Sequence, residues 1–135
     1  MSAGEHIFFT YGEAGSTIAG IDTAGGEMND LVEPAAFYTD LALSPDGQRI
    51  AFVRIIDSDD RGDIFIMNVD GSGLTRLIDT PSYDEDLQWS PDGQNIAFAS
   101  TPDAEAHCAQ ICPFDLYVVN IASRKVNRLG MCQVL

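Results

Sequence analysis

The residues best equipped for chemistry sit in two polar stretches between apolar runs. In residues 106–112 (AHCAQIC), Cys108 and Cys112 stand four apart, with His107 beside the first. Such a pair can close a disulfide in an oxidising compartment, or it can remain as free thiols. With His107 it could also offer three metal ligands, but three ligands on one short loop with no fourth nearby make a weak zinc pattern. A loop disulfide is the leading expectation, and no metal site is expected; Cys132 stands alone near the end. The second stretch, residues 54–63 (RIIDSDDRGD), carries four acids and loosely resembles a calcium loop. It lacks the twelve-residue spacing and terminal Glu of an EF-hand, so it reads as a solvated acidic turn. No G-x-S-x-G elbow, phosphate-binding loop, H-E-x-x-H or dinucleotide glycine pattern occurs. His6 and His107 are not set beside a Ser or Cys with an orienting acid. The chain is therefore expected to have no active site and no cofactor of its own.

The elements that must carry these stretches are short and repetitive. Residues 44–52 (SPDGQRIAF) return as residues 90–98 (SPDGQNIAF), forty-six positions later. A period of that length marks a repeat architecture. Within each copy Pro fixes φ, Asp can bond its own backbone and Gly can take φ > 0, so the chain reverses. Flanking apolar triplets, 41–43 and 50–52, then 87–89 and 96–98, make each copy a β-hairpin. The segment after each hairpin also repeats: residues 63–77 (DIFIMNVDGSGLTRL) match residues 115–129 (DLYVVNIASRKVNRL), displaced by fifty-two. The six extra residues fall in the loop that holds Cys108 and Cys112.

Each unit is thus a four-stranded antiparallel meander of about forty-five residues, the size of one propeller blade. SPDGQRIAF followed by DIFIMNVDGSGLTRL closely resembles the TolB-like, WD-related β-propeller repeat, whose blades carry a W-S-P-D-G-x-x-I-A-F signature. The likeness covers nearly the whole chain and departs at Leu43, which stands where the second copy has Trp89. The expected fold is all-β, a single propeller segment over residues 1–135. It divides into a partial blade at 5–33 lacking its first strand, complete blades at 38–79 and 83–130, and a possible closing strand at 131–135. About three blades cannot close a ring, so a six-bladed homodimer is expected, with residues 131–135 supplying the missing strand.

The chain has 135 residues, 45% of them hydrophobic and 21% charged, the balance of one soluble globular domain. Seven Lys and Arg against twenty-one Asp and Glu give a net charge of −14. That balance disfavours nucleic acid and anionic membranes and favours solubility, with a basic protein partner or a cation as the sharper alternative. No long apolar run suggests a membrane span, and residues 1–6 do not read as a signal peptide.

The resemblance implies a non-catalytic interaction module of the bacterial envelope, periplasmic or extracellular. Similar repeats build the gating propellers of prolyl-oligopeptidase-type serine hydrolases, so a fragment of such an enzyme is the alternative, as is a half-propeller with no natural ligand. In a propeller the loops from strand four to strand one, and from strand two to strand three, share one face. Here that face holds Tyr38, Asp40, Tyr83, Asp84, Glu85 and Asp86 near the channel, ringed by residues 54–62 and 101–113. It is the more aromatic and acidic face, and the expected binding surface. The competing reading has Asp40 and Asp86 bonding loop amides. Trp89 is expected between blades with its indole donor satisfied, and Leu43 is expected to fill the equivalent place less completely.

Overall fold

The Ser-Pro-Asp-Gly turns close through their own side chains. In a computed structural model of the chain, which describes residues 6–32, 36–55, 62–78, 83–101 and 114–132, Ser44 Oγ donates to Asp46 Oδ1 at 2.6 Å. The same carboxylate oxygen accepts the Gln48 N–H at 3.0 Å, and Ser44 Oγ accepts the Arg49 N–H at 3.0 Å. Gly47 takes φ 73°, which an L side chain resists, and its N–H returns to Ser44 O at 2.9 Å. Ser90, Asp92, Gly93 and Asn95 repeat these bonds. These contacts also hold the exposed Asp46 and Asp92 carboxyls below the usual carboxylate range, chiefly through the serine hydroxyl and then the backbone N–H.

Eleven strands result among the described residues: β1 (His6–Tyr11), β2 (Thr17–Asp22), β3 (Met28–Asp30), β4 (Phe37–Leu43), β5 (Arg49–Ile55), β6 (Gly62–Asn68), β7 (Thr75–Ile78), β8 (Tyr83–Trp89), β9 (Asn95–Thr101), β10 (Phe114–Asn120) and β11 (Val126–Cys132). They form three antiparallel meanders, β1-β2-β3, β4-β5-β6-β7 and β8-β9-β10-β11. Asp22 lies forty-six residues before Asn68, so β1–β3 take the places of β5–β7. The innermost place of the first sheet has no strand among the described residues.

Period-two alternation decides how the sheets stack. Of the central sheet, Ile50, Phe52, Phe65 and Met67 join Ile18 and Tyr38 in one apolar cluster, toward the first sheet. Ala51, Val53 and Ile64 join Ile96, Phe98 and Val119 in another, toward the third. Both faces of the central sheet are therefore covered, which is why 50–53 and 64–67 read as unbroken apolar runs rather than alternating ones. Phe52 stacks on Phe65 at a centroid distance of 6.0 Å, and Phe98 on Tyr117 at 5.7 Å, at matching positions of their repeats.

One boundary differs from expectation. Met131 and Cys132, expected in a separate closing strand, pair with Asp115 and Phe114 at the end of β11. The chain has no turn sequence between Leu129 and Cys132, so it stays in the ladder of its own meander. Residues 133–135 lie outside the described residues.

Candidate protein-interaction face

The inner strands β4 and β8 carry the same irregularity at the end away from the Ser-Pro-Asp-Gly turns. The ladder of β4 with β5 shifts between Thr39 and Ala42, and that of β8 with β9 shifts between Glu85 and Gln88. Asp40 (φ 56°) and Asp86 (φ 57°) occupy the left-handed region at these bulges, forty-six residues apart. Asp is one of the few residues that tolerates this conformation, because its short carboxylate can bond locally. Here the bond crosses between sheets: the Asp40 carboxylate accepts from the backbone of Asp86. Burial raises the Asp40 pKa most; the Asp86 backbone bond opposes that shift, and the Asp86 charge adds to it. Two acids are thus brought close together at equivalent bulges, and the Asp40 carboxylate also ties its sheet to the next.

The other expected face residues are placed unequally. Tyr38 is 4% exposed and packs edge-on to Phe52 at 5.6 Å, so it belongs to the core rather than the surface. Alternation along β4 explains this, since Phe37 and Thr39 face out when Tyr38 faces in. Phe37, 44% exposed, is the aromatic that this end of β4 shows to solvent. Sequence reasoning missed it, although strict alternation against the buried Tyr38 would have found it. Tyr83, Asp84 and Glu85 lie in β8, opposite Thr101, Ser100 and Ala99. Arg54, the first of the loop residues expected to ring the face, lies across from Tyr38 in the ladder. Its guanidinium lies over the Phe65 ring at 5.3 Å, and its buried Nε has no hydrogen-bond partner among the described residues. Cys108, Cys112 and His107 lie outside the described residues, as do residues 56–61. Among the described residues no three His, Cys, Asp or Glu side chains gather as metal ligands would.

A seam on the other side of the inner strands fixes how blades two and three meet. Trp89 Nε1 donates to Ala42 O at 2.8 Å, across the boundary between the two sheets. Arg49 covers the indole at 5.1 Å and donates from Nη2 to Gly93 O at 2.9 Å. Trp89 is partly buried against the cluster, whereas Leu43 at the equivalent place is 46% exposed.

No family model matches the chain, and no curated protein matches it in sequence. Solved structures do. Putative TolB from Agrobacterium tumefaciens superposes with a TM-score of 0.70 at 20% identity, over 94% of this chain and 50% of that one. TolB from Acinetobacter baumannii gives 0.70 at 17% identity, over 94% of this chain and 30% of that one. The chain has a TolB-like β-propeller fold. A chain of the nidogen/laminin complex shares this TolB-like form, with a TM-score of 0.70 at 15% identity over 96% of this chain and 45% of that one. Tricorn protease, an acylaminoacyl peptidase from Pyrococcus horikoshii and an oligogalacturonate lyase also match. The chain spans half or less of the TolB structures it matches. Among the described residues no helix is long and apolar enough to cross a membrane.

Proposed function

We propose that the chain is a non-catalytic protein-interaction propeller of TolB-like type, active in the periplasm or outside the cell. It binds a basic partner on the face bearing Asp40 and Asp86. The observation that supports this reading is the pair of matching left-handed bulges, which bring Asp40 and Asp86 close together; in this proposal that end of β4 and β8 is the rim of the channel. Their position agrees with the net charge of −14, whose field draws a cationic surface toward the chain. Tyr83, Asp84 and Glu85, in the same strand as Asp86, extend that face in this proposal. A propeller serving a peptidase is the second reading, favoured by the peptidase matches. It requires a hydrolase segment elsewhere in the polypeptide.

The ring is part of the proposal. Propellers close with about four to eight blades, and the three sheets here leave two open faces. By register the first sheet carries Ile7, Phe9 and Ile21 on the side opposite Ile18 and Phe8, with Ala19 buried among them. The third carries Ala97, Leu116 and Val118, with Ala99 buried among them, on the side opposite Ile96, Phe98 and Val119. The latter residues stand where Ala51, Val53, Ile64 and Ile66 receive the next blade inside this chain, so the open face continues an interface already built. A second copy related by a two-fold axis would seat the larger side chains of one first sheet on the smaller ones of the other third sheet, twice, giving six blades.

A photo-crosslinker tests the face. Placed at Phe37, the exposed aromatic at the same end of β4, it should capture a discrete protein from an envelope extract, and capture should be lost when Asp40 and Asp86 are both replaced by Lys. Placed at Ser123, on the turn face, it should not. Equal capture at both positions, or capture indifferent to the Lys replacements, would place binding elsewhere.

A further inference from the structure

The turn face holds a feature that the interaction face does not use. Between the outer strands of blade two and the last turn of blade three lies a cavity of about 190 Å³, with Leu77 and Ile121 among its apolar walls and Arg49 and Arg124 on it. The chain has only seven Lys and Arg, and two of them, Arg49 and Arg124, line this one cavity, with Lys125 next in sequence. Equivalent turns of the two blades carry opposite charge. Blade two turns through Asp70-Gly71-Ser72-Gly73, blade three through Ala122-Ser123-Arg124-Lys125.

The acids and neutral donors around the cavity are already engaged. Asp70 is occupied by its own turn, accepting from the Ser72 N–H at 2.9 Å and from the Ser72 hydroxyl. Asp46, whose pKa Arg49 helps to lower, is occupied by Ser44 Oγ and the Gln48 N–H. Asn68 Nδ2 donates to Ser72 Oγ at 3.2 Å, and Thr75 Oγ1 donates to Gly73 O at 3.0 Å. Arg49 is anchored by Gly93 O and the Trp89 ring and uses one of its five N–H donors on that carbonyl. Arg124 is held at φ 61° by its N–H to Asn120 O at 2.7 Å, and its guanidinium has no ion-pair partner among the described residues.

We propose that this cavity binds the carboxylate of a small apolar acid, either free or as the C-terminal residue of a peptide, with Arg124 and Arg49 taking the anion and Leu77 and Ile121 the apolar body. A volume of about 190 Å³ is below that of a drug-sized site, which fits one side chain with its carboxylate and nothing larger. A planar guanidinium pairs with a carboxylate in two parallel hydrogen bonds, and charge assistance makes these stronger than neutral ones.

The test is a titration of the full chain followed by amide NMR, with N-acetyl-leucine, N-acetyl-leucinamide and isovalerate as probes. N-acetyl-leucine should give saturable shifts at Thr75, Ile121 and Arg124. The neutral amide should bind about tenfold or more weakly, the loss expected when charge-assisted bonds are removed. Arg124→Gln should weaken the acid by a similar factor. Lys125→Gln, which removes the same charge from the adjacent residue, should leave affinity nearly unchanged. Isovalerate binding as well as N-acetyl-leucine identifies a free short acid as sufficient; weaker binding of isovalerate identifies a chain terminus. Absence of saturable shifts, equal binding of acid and amide, or equal losses in the two variants would overturn the proposal.

Discussion

Replacing Trp89 by Ala probes the seam between blades two and three. Three contributions are lost together. The indole N–H to Ala42 O, at 2.8 Å, is worth about 1 kcal/mol as a net hydrogen bond. The Arg49 guanidinium over the ring, at 5.1 Å, adds about 0.5–1 kcal/mol at a half-exposed site. The remainder is apolar burial against a cluster that includes Leu87 and Ile96. Full truncation of a buried aromatic costs about 3–5 kcal/mol, and Trp89 is only partly buried, so about 3 kcal/mol is expected. Trp89→Phe keeps most of the burial and should cost about 1–2 kcal/mol, the hydrogen bond being the main loss. Urea unfolding followed by far-ultraviolet circular dichroism measures both variants, since Trp89 is the sole tryptophan and its fluorescence is lost with it. A double-mutant cycle with Arg49→Gln should show a coupling of about 0.5–1 kcal/mol. A loss below about 1 kcal/mol for the alanine variant, or no coupling, would show that the seam does not tie the blades.

Other variants address the turns and the rim. Gly47→Ala should cost about 1–2 kcal/mol from left-handed strain alone, since a Cβ at φ 73° meets nothing within 4 Å. Gly71→Ala should cost more, because its Cβ would stand 2.9 Å from Leu31 O in the first sheet, and thermal melts should rank the two in that order. The Asp46, Asp70 and Asp92 carboxyls lie below their ordinary 3.8, so the stability they add is complete above that pH and lost as pH falls toward their folded values. Asp46→Asn should flatten this acid limb of a stability profile. Asp40 has the opposite sign: its raised pKa makes its contribution greatest below the unfolded value and lost as pH rises through the folded one. Asp40→Asn should therefore gain relative to the parent as pH rises across that window, and a parallel profile would contradict the raised pKa of that carboxylate.

Legibility in the sequence followed periodicity. The hairpins were readable because Ser-Pro-Asp-Gly fixes a turn through bonds within five residues, Ser44 to Arg49 and Ser90 to Asn95. The stacking of sheets was legible only at Trp89, because runs apolar on both faces, such as 50–53, hide the alternation that sends Phe52 one way and Val53 the other. The site was less legible. Asp40 and Asp86 were visible as equivalent positions, but the bulge that turns them into the left-handed region depends on a shift in pairing with the neighbouring strand, which no local motif announces. Tyr38 was assigned to the face by its place near a loop, and the bulge-free start of β4 puts it in the core. The seam of Trp89, Ala42 and Arg49 joins residues whose contact requires two blades to be stacked, and only its tryptophan was foreseen.

Solution mass tests the closed ring most directly. Sedimentation equilibrium at micromolar concentration should give twice the 14.6 kDa chain mass, with Ile7→Asp and Leu116→Asp each shifting the material toward the single chain. A well-folded species that stays at 14.6 kDa, unaffected by either substitution, would contradict closure by a second copy.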